Sequence, residues 1–149
     1  MAQAPTADHD AQIEVVSHDA RTSNPGAPSN FTGHAQVEQL FAAQVGRAVS
    51  GGIVTFQPGA HSVWHTHPKG QILIVTAGTG LVQQWGGPVL TMKSGDVVWI
   101  PPGVKHWHGA TATSSVTHIA IQEAVDGKVV DWLEPVSDQQ YSFGASRQP

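Results

Sequence analysis

The chain contains no cysteine, which excludes disulfides, thiolate metal sites, iron–sulfur clusters and thiol nucleophiles together. Charge is scarce as well: only 12% of the 149 residues are charged, and 7 Lys plus Arg face 11 Asp plus Glu. No basic stripe exists that could follow a phosphate backbone, so nucleic acid is not an expected partner. Long apolar runs are missing too. The longest, Gln71 to Thr76, is far shorter than the ~20 residues of a membrane span, so no membrane association is expected. The start Met1-Ala2-Gln3-Ala4 lacks the apolar core of a secretory signal and is compatible with a trimmed export sequence, which leaves cytoplasm and periplasm both open.

Gly and Pro are abundant, 16 and 10, and they punctuate short stretches of period-two patterning. These are Gln36–Phe41, Gly52–Phe56, Val63–His67, Gln71–Thr76, Gly80–Trp85, Val89–Met92, Val97–Ile100, His106–Gly109, Val116–Gln122 and Val129–Leu133. Breaks fall at Pro58-Gly59, Gly78-Thr79-Gly80, Gly86-Gly87-Pro88, Ser94-Gly95-Asp96 and Pro101-Pro102-Gly103. About ten short strands with such breaks predict an all-β sandwich or barrel. Helix is minor: Gln36–Gln44 has a helix-compatible composition, and Ser137-Asp138-Gln139-Gln140 fits one turn behind a Ser cap. Residues 1–30 read as a tail or extended arm whose one strand-like patch is Ile13–Val16, residues 31–141 as the domain, and 142–149 as a second tail.

Nine histidines are present, six of them between His61 and His118. In a strand, residues i and i+2 share a face, so His65 projects with His67, and His106 with His108. A return across Pro68-Lys69-Gly70 turns Gln71 toward the first pair, and a later strand brings His106 alongside. Three imidazoles and one amide then converge, a donor set suited to a divalent first-row metal. His118, Ala120 and Gln122 share another strand face, beside that centre rather than on it. Gly52 and Val54 precede the first histidine pair at period two and form an apolar wall for a small-molecule substrate. His61, in a turn after Pro58-Gly59, is expected to be exposed; His9, His18 and His34 are peripheral; Trp64, Trp99 and Trp107 belong to the core or a subunit interface.

Two blocks carry a further signal. Gly59, His65, His67, Gln71 and Gly78 form the first; Gly95, Pro101, Gly103 and His106 form the second. In this spacing the sequence resembles the cupin superfamily, which implies a single-domain jelly-roll β-barrel with a metal on His65, His67, Gln71 and His106. Gln71 stands where most cupins carry Glu, and Ala110 where many carry Asn. From about Phe31 to Tyr141 the chain looks most like small bacterial manganese-dependent hydroxynitrile lyases. The segments carrying that likeness include Val54–Ala60, Trp64–Pro68, Gly95–Trp99, Lys105–Ala110 and Thr117–Glu123. The resemblance implies a catalytic, proton-transferring His118 with His108 as a polar neighbour, a manganese ion (iron, nickel or zinc being the alternatives), and a homo-oligomer, dimer or tetramer.

Four neutral donors leave a divalent ion its full charge, which favours Lewis-acid chemistry on a hydroxyl over the redox chemistry that a ligand carboxylate supports. The expected activity is therefore cleavage or synthesis of cyanohydrins. The alternatives are a cupin dioxygenase or isomerase of a small oxygenated or aromatic metabolite, and a non-catalytic ligand-binding cupin.

Overall fold

The computed structural model describes residues 11–146, so the readings of Met1–Ala4 and His9 lie outside the described residues. A short 3-10 turn (His18–Ala20) is followed by twelve strands. They are β1 (Ser23–Pro25), β2 (Phe31–Thr32), β3 (Ala35–Phe41), β4 (Val49–Phe56), β5 (His61–Ser62), β6 (His65–Thr66), β7 (Gln71–Gln84), β8 (Val89–Lys93), β9 (Val97–Ile100), β10 (His106–Ala110), β11 (Val116–Glu123) and β12 (Asp131–Trp132). One helix, α1 (Asp138–Ser146), closes the described chain. No described helix is long and apolar enough to cross a membrane.

All pairings are antiparallel, and one long strand joins two sheets. The first half of β7 pairs with β11 and β9, and its second half with β10 and β8. The pivot is Gly78, held at φ +77 where the Ser115 carbonyl occupies the place of a Cβ; only glycine accepts both conditions without strain. Read from sequence, Gly78–Gly80 ended one strand and began another. Here it bends a single strand, because backbone pairing continues on both sides of it, with a β-bulge at Thr76 just before. The result is a sheet curled into a half-barrel. The period-two pattern of β7 sends Gln71, Leu73 and Val75 inward, where they join Val54, Phe56, Met92 and Val116 in the interior.

The outer faces of the two sheets are treated differently. On one, Trp64, Leu81 and Trp107 are covered by Val136 and Tyr141 from the C-terminal segment. That segment is held by a reciprocal cap, Gln140 N–H donating to Ser137 Oγ (3.1 Å) and Ser137 N–H to Gln140 Oε1 (2.9 Å), and by Tyr141 Oη donating to the Ala110 carbonyl (2.8 Å). The expected single turn thus becomes the nine-residue α1. On the other sheet, strand register aligns Ile53, Ile119, Ile74 and Val97 in one row and Gly51, Ile121, Ile72 and Trp99 in the next. Trp99 is 57% exposed and Val97 67%.

Two local readings are corrected. Gln36–Gln44 is not helical; most of it is β3, whose pairing with both β1 and β4 outweighs a weak helical composition. Ile13–Val16 forms no strand and is exposed, since no neighbouring edge pairs with it. The arm does supply β1, which lies against β3.

Candidate metal centre

The β10–β6 pairing sets His106 directly opposite His65, with ring centroids 4.2 Å apart. His67, just beyond β6, closes the group at 5.1 Å from His65 and 5.4 Å from His106. His108, two residues along the same face, has its ring 5.3 Å from that of His65. The ligand atoms of His65, His106 and His108 all lie within 4.8 Å of one another.

Hydrogen bonds divide these imidazoles into two kinds. Nδ1 of His65, His67 and His106 each meets a main-chain carbonyl, those of Val63 (2.7 Å), Val129 (2.8 Å) and Val104 (2.9 Å). A carbonyl only accepts, so each Nδ1 carries the proton and each Nε2 keeps a bare lone pair. Nε2 of His67 and His106 is buried without a partner, as is Gln71 Oε1. Orphaned buried acceptors are costly, and a cation satisfies all of them at once. The donors present therefore fit a divalent metal ion. His108 differs: its Nδ1 faces not a carbonyl but Nε2 of His118, at 3.0 Å.

Burial dominates the electrostatics. It holds His65, His67, His108 and His61 below the ordinary histidine range, and pushes His106 and His118 down to about 4. Neighbouring imidazoles add to the depression at His65, His106 and His108. His118 is thus not the near-neutral titrating base that general-base catalysis favours in the simplest case.

A cavity of about 230 Å³ opens beside the centre and is lined by Gly52, Val54, His65, His67, Gln71, His108 and Gln122, the four expected pocket residues among them. His118 does not line it; it sits behind His108, with Phe56 packed against both rings at 5.7 and 5.8 Å. Sequence reasoning missed Phe31, Val37, Val129, Val130 and Trp132, which with Ala120 complete the apolar wall. Trp132 reaches the His65 ring (4.8 Å) and Phe31 (5.8 Å). Val129–Leu133 reads as a strand, but only the pairing of β12 with β6 carries it across the cavity.

His61 is corrected. It is 4% exposed rather than solvent-facing, and it stacks on Tyr141 with centroids 4.3 Å apart. Gly109 lies opposite it in β10, and a Cβ there would overlap His61, so the close approach of β5 draws the turn residue inward. His18 and His34 are exposed, as expected.

A half-barrel of antiparallel strands with imidazoles converging at its interior is the architecture of the cupins, and the chain belongs to that family: the family description "Cupin domain" matches residues 52–121. It is 51% identical over 129 residues to an (R)-mandelonitrile lyase of Granulicella tundricola, covering 87% of this chain and 98% of that protein. Among solved structures, a cupin-like protein from Thermotoga maritima superposes with a TM-score of 0.80 at 40% identity, over 83% of this chain and 94% of that one. A cupin-2 domain protein from Rhodospirillum rubrum shares the fold alone, with a TM-score of 0.66 at 18% identity over 91% of this chain and 96% of that one.

Proposed function

We propose that this cupin is a metal-dependent carbon–carbon lyase of the hydroxynitrile lyase type, interconverting a cyanohydrin with an aldehyde or ketone plus cyanide. The observation that carries the reading is an all-neutral donor set with orphaned acceptors, beside an apolar cavity that a further imidazole, His108, borders with His118 behind it. The identity to a mandelonitrile lyase supports it. His65, His67 and His106 through Nε2, and Gln71 through Oε1, would hold the ion, manganese by preference because an amide oxygen is a hard donor. When bound, such a cation acidifies the substrate hydroxyl and retains positive charge that favours cyanide release.

Proton movement falls to the imidazole pair. Nε2 of His108 is buried and bare, and borders the cavity through its ring. In the tautomer that donates Nδ1–H to His118 Nε2, it accepts the hydroxyl proton and shares the new charge with His118. As the O–H bond breaks, the oxygen forms the carbonyl and the C–C bonding pair leaves with cyanide, which recovers the proton from the pair. A base with a depressed pKa is the matching partner for a strongly acidified hydroxyl. Gly52, Val54, Phe31 and Trp132 receive the organic side chain.

The test is aldehyde release from mandelonitrile in mild acid, with manganese-loaded against chelator-stripped protein. Metal-dependent release is expected; its absence in protein holding one metal per chain would move the reading to oxygen chemistry or ligand binding. His118→Ala is expected to lower kcat at least about 100-fold at unchanged metal content. Unchanged turnover would remove His118 from the mechanism.

We propose also that the chain is a homodimer through the two-row apolar face of β4, β11, β7 and β9. Neither row contains a charged side chain, the Phe41 ring lies over Gly51 at one end while Ile72, Val97 and Trp99 stay exposed, and an apolar patch on the order of a few hundred Å² marks an interface. A symmetric partner presents the same uncharged rows. Trp99→Glu is expected to halve the mass read by light scattering; an unchanged mass, or a wild-type monomer, would place no partner there.

A further inference from the structure

We infer that Gln122 and Ser50 are positioning residues that decide which end of the Gln71 amide faces the metal centre; the inference rests on the metal-site reading above. An amide's two ends are almost equal in size and opposite in effect. The oxygen offers lone pairs, whereas the nitrogen offers two N–H groups that repel a cation and has no lone pair to donate. Steric fit alone cannot choose between them.

The sheet makes the choice through a polarity chain. Gln71, Gln122 and Ser50 stand directly opposite one another on three adjacent strands, β7, β11 and β4. Gln122 Nε2 lies 2.7 Å from Ser50 Oγ and 3.4 Å from the Ser50 carbonyl oxygen. A main-chain carbonyl only accepts, so the amino end of Gln122 belongs on that side and its Oε1 points the other way. There it accepts from Gln71 Nε2 at 3.1 Å. Gln71 is left with Oε1 turned to the centre, buried and without a protein partner. The direction of two amide side chains is thus set by one backbone group. It also gives Gln at position 71 a reason. A carboxylate there could not donate to Gln122, which would have to reverse and set its oxygen against the Ser50 carbonyl.

The test compares manganese affinity, by equilibrium dialysis with metal analysis and by the manganese EPR signal, in the full chain and three variants. Gln122→Leu removes the acceptor and is expected to weaken binding about 10- to 100-fold, the usual effect of losing a ligand's hydrogen-bond partner. Gln122→Glu keeps an acceptor for Gln71 but sets its second oxygen against the Ser50 carbonyl, and is expected to lose less affinity than Gln122→Leu. His106→Ala reports on the site itself. If His106→Ala loses metal while Gln122→Leu binds within about twofold of the parent, the polarity chain is wrong and the metal site stands. Equal losses in Gln122→Leu and Gln122→Glu would mean a merely structural role and also overturn it. Retention of metal by His106→Ala would instead overturn the site reading. If Gln122→Leu does not fold, Gln122→Met, which keeps the length and lacks the acceptor, takes its place under the same criteria.

Discussion

Changing His106 to alanine is expected to empty the metal centre and reduce cyanohydrin turnover to that of chelated protein, a loss of at least about 1000-fold, since losing even a ligand's hydrogen-bond partner costs about 10- to 100-fold. His106 is singled out by its place between two other imidazoles, 4.2 Å from the ring of His65 and 5.4 Å from that of His67, with its tautomer fixed by the Val104 carbonyl. No other imidazole substitutes for it without leaving its own carbonyl or, for His108, its bond to His118. The fold should survive. Nε2 of His106 has no protein partner, so alanine removes an unsatisfied acceptor and opens a small cavity, opposing effects of about 1–3 kcal/mol each. Metal analysis and a melting curve on the same metal-free sample separate the two. Protein that still holds one metal per chain would exclude His106 as a ligand; protein that fails to fold would show that its role is structural.

The sequence exposes these features unequally, and the difference is one of interaction range. Val97–Ile100 is legible to the residue, because Ser94-Gly95-Asp96 and Pro101-Pro102 stop the chain on both sides. The facing of His65 toward His106 follows from period-two geometry together with one pairing, and that pairing forms. The role of Gly78 is not legible, because a positive-φ glycine ends a strand or bends it according to what pairs beyond, here β10 and β8. His61 was misread for a related reason: the turn was visible, but not Gly109 and Tyr141, which draw the ring inward. The nearness of His108 to His118 was legible, but their order relative to the cavity was not, since it depends on how sharply the sheet curls. The Gln71–Gln122–Ser50 chain needs two registers at once, which no local pattern encodes.

Metal-free protein is expected to lose most of its stability between about pH 6.5 and about pH 4. The cause is burial of histidines held neutral: His106 and His118 are pushed down to about 4 in the folded chain, whereas an unfolded histidine titrates near 6.5. Between those values the unfolded chain binds protons that the folded chain does not, so stability is greatest above pH 6.5 and falls as pH is lowered toward the folded value. Each of the two contributes about 3 kcal/mol across that window. Together they approach the whole stability of an ordinary domain, about 5–15 kcal/mol. The depressed His61, His65, His67 and His108 act in the same direction. Urea midpoints taken from about pH 7.5 to about 4.5 should therefore fall steeply, with at least about two protons taken up per unfolding event. Manganese at about 100 times its dissociation constant should add about 2.7 kcal/mol near neutrality, and less as protons compete for the same lone pairs. His118→Ala deletes one buried titrating ring and should flatten the slope by up to about one proton. A midpoint that does not move across this range would mean that these rings are solvated in the folded protein, and would remove the physical basis for bare, metal-ready Nε2 atoms.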